Sequence, residues 1–173
     1  MINGGMILGI LSGNPKEEPL HAGEVFSLWS HLLDTKATLV TLQVFINHTG
    51  DHDLKVFLGD LSENCIKQEE QQVESILKEN GIRLPPAPPD RPMVHVEDIP
   101  AGARFNDPEI AALTGRELLA GKVLCSYIMG IAIREDITEM YNEFHTQKAE
   151  YHEKLLKIKK EKGWLVAPPL NIK

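Results

Sequence analysis

Apolar residues between positions 21 and 162 recur at spacings of three and four, the pattern of helices with one buried face. The first segment, 21–49, has an apolar seam made of Val25, Leu28, Leu32, Thr35, Leu39, Leu42 and Ile46. The second segment, 53–80, continues the pattern with Leu54, Leu58, Leu61 and Cys65. The short turn between the segments predicts two antiparallel neighbouring helices.

The seam of the second predicted helix turns polar at Gln68 and Gln72 before apolar residues resume at Val73. With Thr35 on the first helix, these two side chains predict a buried polar layer that fixes the register of the helices.

Two further helices are predicted at 107–132 and 136–162. Asp107-Pro108-Glu109 is typical of a helix start, since an Asp cap is followed by proline and an acidic residue in the first turn. One uninterrupted helix over both segments would be about 80 Å long, so a break is required. Asp136 and Glu139 have capping-box spacing and predict the start of the last helix there.

The segment 81–106 separates the two pairs of helices and is rich in proline. Extended at about 3.1 Å per residue, about 20 residues of it reach roughly 60 Å. A helix of 28 to 30 residues is only about 42–45 Å long, so the third helix can start at the same end as the second. The sequence therefore predicts an all-α fold, an antiparallel four-helix bundle with ferritin-like connectivity and a long proline-rich crossover. A disordered linker between two small domains is the alternative.

This prediction divides the chain into an N-terminal arm, 1–20, and a helical bundle, 21–173. The length of 173 residues suits one domain. The apolar patch Met6–Leu11 has no basic residue before it and is a poor match to a signal peptide. No stretch approaches the ~20 apolar residues of a membrane span.

Charge and cysteine content limit the expected binding partners and the expected cellular compartment. A net charge of −7 argues against partners that are nucleic acids or anionic membranes, since both require an excess of Lys and Arg. Cys65 and Cys125 are too few for a disulfide scaffold, and a reducing compartment such as the cytoplasm is expected.

A di-iron centre is the chemistry that a ferritin-like bundle suggests first. It requires a Glu from each of two helices and a Glu-x-x-His pair from each of the other two. No Glu-x-x-His occurs in the sequence. The mid-helix positions are Thr35, Cys65, Gln68, Ala120, Gly121, Gln147 and Lys148, none of which is a carboxylate. We therefore expect no metal at the bundle centre, no cofactor and no assigned catalytic residue.

A displaced metal site is the alternative. Glu24 and His31 are seven residues apart and share a helix face, and His145 and His152 repeat that spacing. These four side chains are candidate ligands for iron, manganese or zinc. The favoured interpretation is that they are solvated side chains near helix ends.

Several segments carry a resemblance that covers about residues 20 to 170. They read HAGEVFSLWSHL, GIRLPPAPPDRP, EDIPAGARFNDPEIA, AIREDITEMYNEF and KGWLVAPP. In sequence and order they resemble an uncharacterised bacterial family related to spore coat protein F, found mainly in endospore-forming bacteria, in which many members carry two tandem copies. The resemblance implies a ferritin-like fold, a coat or sporulation role and a spore-associated location. It implies no catalytic residues.

Two hypotheses for function follow. The first is a structural or interaction protein that lacks a di-iron centre, binds protein partners such as spore coat components and forms a homodimer in place of the tandem copies. The second is a metal-dependent or redox enzyme with an off-centre His/Glu site.

Overall fold

The computed structural model describes residues 18–171, so positions 1–17 of the predicted arm lie outside the described residues. Over this range the fold is all-helical, as predicted, with no strand. The four long helices are α1 (Ala22–His48), α2 (52–79), α3 (Asp107–Ile131) and α4 (Glu135–Glu161). None of the helices in the described range is long and apolar enough to cross a membrane.

Helix α2 contains a π turn, Ser62–Ile66, between the α-helical parts His52–Leu61 and Lys67–Glu79. In it the Lys67 amide donates to the Ser62 carbonyl, five residues back, so the helix gains one residue within a turn. The extra residue rotates the following part of α2 so that Glu69 and Val73 point inward.

The predicted polar layer of Gln68 and Gln72 is therefore wrong, because both side chains are exposed. A regular helix would have placed them on the seam that starts at Leu61. The π turn moves the seam by one position, and Glu69 takes the inward place.

Local sequence explains where the other helices begin, with two corrections. The N-cap of α3 is Asn106 rather than Asp107: its side chain accepts from the Glu109 amide at 3.1 Å, and Glu109 accepts from the Asn106 amide at 2.9 Å. The N-cap of α4 is Arg134, without a capping side chain. Asp136 does not form the predicted capping box, because its carboxylate accepts two hydrogen bonds from the Arg134 guanidinium.

Two apolar clusters form the core, and all four helices contribute to both. The first contains Leu42, Phe45, Leu54, Phe57, Leu58, Leu61, Ile110, Leu118, Tyr151 and Leu155. The second contains Leu28, Leu32, Val73, Leu77, Cys125, Ile128, Ile137, Tyr141 and Phe144. Each fully buried large side chain contributes about 1.5–3 kcal/mol. The inward positions between the two clusters are polar on α1, α2 and α4.

The end of α1 and the start of α3 are joined by polar contacts. The Thr49 hydroxyl donates to the Asp107 carboxylate at 2.6 Å. At the same end, the Lys162 ammonium after α4 lies 2.8 Å from the carboxylate of Asp51, the N-cap of α2. At the opposite end, His21 Nε2 lies 3.1 Å from the carbonyl of Ile131, where α3 finishes.

The proline-rich connection between α2 and α3 lies along α1. The Arg91 amide donates to Gln43 Oε1 at 2.7 Å. One helical turn further along α1, Asn47 Nδ2 donates to the Pro92 carbonyl at 2.9 Å, and Asn47 Oδ1 accepts from the Val94 amide at 3.3 Å. These side chains supply partners to a stretch of irregular backbone that precedes the two 3₁₀ turns of the connection, Val96–Asp98 and Ala101–Ala103.

Candidate functional site

A buried group of ionisable side chains occupies the space between the two apolar clusters. Glu69 is only 1 % exposed, and His31 and Lys148 are each 4 % exposed. Glu69 Oε1 accepts a hydrogen bond from the Lys148 ammonium, and Oε2 lies 3.4 Å from His31 Nε2. The Tyr141 hydroxyl lies 2.7 Å from His31 Nδ1. These four residues are called the central cluster below.

The hydrogen bonds and ion pairs of the central cluster join a phenol, an imidazole, a carboxylate and an ammonium. Burial raises the pKa of Tyr141 well above its ordinary value, so the hydroxyl keeps its proton beside His31 Nδ1. On the other side of the ring, His31 Nε2 faces the Glu69 carboxylate at Oε2. The charges of the Glu69 carboxylate and the Lys148 ammonium cancel, and the His31 ring and the Tyr141 hydroxyl complete the network.

Two opposing effects act on the Glu69 carboxyl. Burial alone would raise its pKa, but the hydrogen bond from His31 and the positive charge of Lys148 outweigh burial and lower the pKa. Glu69 is therefore ionised at neutral pH, and the buried pair is a true salt bridge.

A glycine on α3 makes room for the lysine of the cluster. A Cβ atom at Gly121 would lie 2.8 Å from Lys148 Cδ, which is closer than real side chains approach. The absence of a side chain at position 121 lets Lys148 cross α3 and reach Glu69.

The two cysteines beside the cluster are thiols rather than thiolates. Burial, followed by the charge of Glu69, raises the pKa of Cys65 to about 12, and burial raises that of Cys125 to about 11. Cys65 Sγ lies 3.6 Å from Glu69 Oε1. Because the thiolate is the reactive form, neither cysteine is a nucleophile at neutral pH.

A cleft of about 500 Å³ opens from the central cluster along α1 and α3. Its inner end is formed by His31, Glu69 and Lys148, and Asp34 and Glu117 lie at exposed positions on its rim. Its apolar walls are Leu42, Phe45, Leu61, Ile66, Leu118 and Leu124. This space is called the α1–α3 cleft below.

The structure places the four candidate ligands apart from one another. Glu24 is fully buried and accepts hydrogen bonds from the amides of Ile133 (2.9 Å) and Arg134 (3.1 Å), so it holds the turn between α3 and α4. His31 belongs to the central cluster. The interpretation of these two side chains as solvated is therefore wrong, since each satisfies buried polar partners.

His145 and His152 are half-buried on α4. His152 Nδ1 lies 3.0 Å from the Lys122 ammonium. Burial and then the charge of Lys122 lower the His152 pKa. No three His, Cys, Asp or Glu side chains within residues 18–171 are grouped so that they could hold a metal ion.

The central cluster does not fit the donor set of a dinuclear carboxylate centre. It offers one carboxylate and one imidazole, whereas such centres use four carboxylates and two imidazoles. Glu69 also points one oxygen at a lysine ammonium and the other at His31. The expectation that the middle of the molecule lacks an acidic side chain is nevertheless wrong, because Glu69 is there.

Glu69 lies off the predicted seam, because that seam assumes one regular helix without the π turn. A signal was present in the sequence: Glu69, Val73 and Leu77 are spaced by four, and the latter two are apolar. Counted backward from Leu77, this spacing places Glu69 on the buried face.

The chain is thus an all-helical protein with a buried salt bridge between two apolar clusters, beside an open cleft. The chain belongs to the family described as "Protein of unknown function (DUF3231)", whose model matches residues 8–173. The resemblance drawn from the sequence segments is thereby confirmed at the level of the family.

Two similar proteins align with the chain over nearly their whole length. It is 50% identical over 165 residues to the uncharacterized protein YvdQ of Bacillus subtilis (strain 168), covering 95% of this chain and 96% of that protein. It is 48% identical to a protein of Bacillus halodurans C-125 whose crystal structure is described as that of a "putative spore coat protein". The TM-score is 0.90, with 92% of this chain and 100% of that chain covered.

Proposed function

We propose that this protein is a structural or interaction protein of the spore coat type, which acts through its surface and needs no metal or cofactor. The observation that carries the proposal is its likeness, over 92% of its length, to the protein of Bacillus halodurans described above. The central cluster supports a structural role, because a salt bridge and hydrogen bonds among the protein's own side chains occupy the centre.

Ferritin-like connectivity is part of the proposal. Contacts at the helix ends support it: Thr49 meets Asp107, and Lys162 meets Asp51. The starts of α2 and α3 then lie at one end of a four-helix bundle, and the proline-rich crossover returns the chain along α1 between them.

Protein partners, including a second copy of the chain, are proposed to bind the outer face of α3. Leu119, Val123 and Tyr127 are spaced by four on this helix and are 53%, 62% and 59% exposed. Such a stripe of exposed apolar side chains is typical of a protein–protein contact. The proposed locations are the spore coat and the cytoplasm of the sporulating cell, with neither nucleic acid nor membrane as a partner.

The experiment is to produce a tagged copy in an endospore-forming host and fractionate its purified spores. We expect the protein in the alkaline or detergent extract of the coat. Its confinement to the soluble cell fraction, with none in purified spores, would contradict the proposal.

The role of the α3 stripe is tested with Leu119→Glu and Val123→Glu together, which should reduce the mass in solution to that of a monomer. The matched control is Gln68→Glu with Gln71→Glu, two exposed positions on α2 that receive the same added charge. A monomeric parent protein, measured by light scattering, would exclude the homodimer.

A further inference from the structure

We propose that the α1–α3 cleft binds a small linear aliphatic molecule with an uncharged oxygen head group, such as an alcohol or a primary amide. The head group would accept a hydrogen bond from Lys148, and the chain would lie along the cleft. This inference does not depend on the proposed role in the spore coat.

The position proposed for the ligand head group follows from the N–H groups of Lys148. An ammonium has three N–H groups, and among the described residues the Lys148 ammonium bonds only to Glu69. Lys148 is buried and also lines the cleft. Buried donors require acceptors, so an oxygen at the inner end of the cleft meets a charged donor that Glu69 alone does not satisfy.

The surrounding charges favour a neutral head group. A carboxylate beside Lys148 would also lie beside the Glu69 carboxylate, after passing Asp34 and Glu117 on the rim. An amine at the same place would meet the Lys148 ammonium itself. Because Glu69 and Lys148 already cancel, a further buried charge of either sign lacks a counter-charge.

The body of the ligand is placed by the shape and walls of the cleft. Lining residues on α1 extend from His31 to Phe45, which is about 21 Å of helix at 1.5 Å per residue. A volume of about 500 Å³ is within the range of small-molecule sites. Because the cleft is long relative to its volume, it suits a flexible chain better than a compact ring system.

Three of the four threonines that line the cleft, Thr35, Thr41 and Thr114, use their hydroxyl protons within the helices. The hydroxyl of Thr35 donates to the His31 carbonyl at 2.7 Å, and that of Thr114 donates to the Ile110 carbonyl at 2.8 Å. The Thr41 hydroxyl likewise donates to the Ala37 carbonyl at 3.0 Å, and Thr38 alone of the four has no such bond among the described residues. The walls offer methyl and methylene groups to the ligand chain.

The experiment compares three probes with the same ten-carbon chain: 1-decanol, decanoate and decylamine, titrated into the full chain and followed by calorimetry. We expect 1-decanol to bind with one site per chain and about tenfold or more tighter than either charged probe. Absence of binding by 1-decanol, or tighter binding of a charged probe, would overturn the proposal.

Variants locate the site. Lys148→Met keeps the length of the side chain without the ammonium, and Thr38→Phe fills the cleft from α1. Lys148→Met should weaken 1-decanol binding by about tenfold or more, the effect of one hydrogen bond to a charged group. Thr38→Phe should weaken it by a similar factor, because the added ring occupies the space of the ligand chain. The control is Leu33→Phe, which adds a ring on the same helix at a position that does not line the cleft.

Because Lys148→Met leaves the Glu69 carboxylate unpaired, the double variant Glu69→Gln with Lys148→Met is measured as well. If the folded double variant, or the folded Thr38→Phe variant, bound 1-decanol as tightly as the parent, the assignment of the binding site to the α1–α3 cleft would be wrong. Equal weakening in Leu33→Phe would show that binding occurs elsewhere.

Discussion

Glu69 and Lys148 are charged residues that the fold removes almost completely from water. Such a pair costs desolvation energy that their mutual attraction only partly returns, so its net contribution to stability is small. Breaking the pair is different, because the remaining charge stays buried without a partner. The central cluster therefore makes the fold sensitive to single changes at its members.

Glu69→Gln should lower the free energy of unfolding by about 3–5 kcal/mol, because it strands the Lys148 ammonium in the core. The measurement is urea denaturation at neutral pH. The control is Glu63→Gln, which removes the partner of Lys67 from an exposed pair on α2 and should change stability little. A loss below about 1 kcal/mol for Glu69→Gln would show that the pair is not buried as described.

Acid should lower the free energy of unfolding by protonating the Glu69 carboxylate. The pKa of Glu69 is lowered by folding from its ordinary 4.5. Its contribution is therefore fully present above about pH 4.5 and is lost as the pH falls through the lower, folded pKa. The difference in unfolding free energy between the parent and Glu69→Gln should shrink as the pH is lowered below that value. A constant difference from neutral pH to about pH 3 would contradict this assignment.

At the scale of elements, the π turn in α2 decides which side chains the second half of the helix buries. It adds one residue to the helix, and Asn64 is an exposed member of it. Deleting Asn64 should convert the turn to regular α-helix while keeping Glu69, Val73 and Leu77 inward. The expected result is a folded protein with a modest loss of stability, measured by thermal and urea unfolding.

The matched deletion is Gln71, which is also exposed but lies in the regular part of α2. Its removal rotates the rest of the helix by about 100° and turns Val73 and Leu77, both 0% exposed, away from the core. We expect a loss of about 1.5–3 kcal/mol for each of them. Equal effects of the two deletions would show that the π turn does not set the register.

At the scale of the whole molecule, the proline-rich connection depends on α1 for its polar contacts. Asn47 is 6% exposed and bonds through both side-chain atoms to the Pro92 carbonyl and the Val94 amide. Asn47→Ala, combined with Gln43→Ala, should release the connection and speed cleavage by thermolysin before Val94, in the released segment. The control is Thr41→Ala, whose hydroxyl bonds only within α1. Unchanged cleavage in the double variant would show that other contacts hold the segment.

The sequence determined the four long helices, because helical periodicity, prolines and glycines act over a few residues. Gly81 and Gly163 have φ of 71° and 70°, the left-handed conformation that ends a helix. Leu28 and Leu58 were expected on the buried seam and are fully buried.

Only the tertiary structure decided which polar residues are buried. Periodicity counted through α2 put Gln68 and Gln72 inside, but the π turn put Glu69 there. The π turn moves Glu69 inward, and its carboxylate is buried there because a lysine and a histidine from distant segments meet it. His31 and Lys148 are 38 and 79 residues from Glu69 along the chain, so their convergence depends on contacts that no local pattern contains.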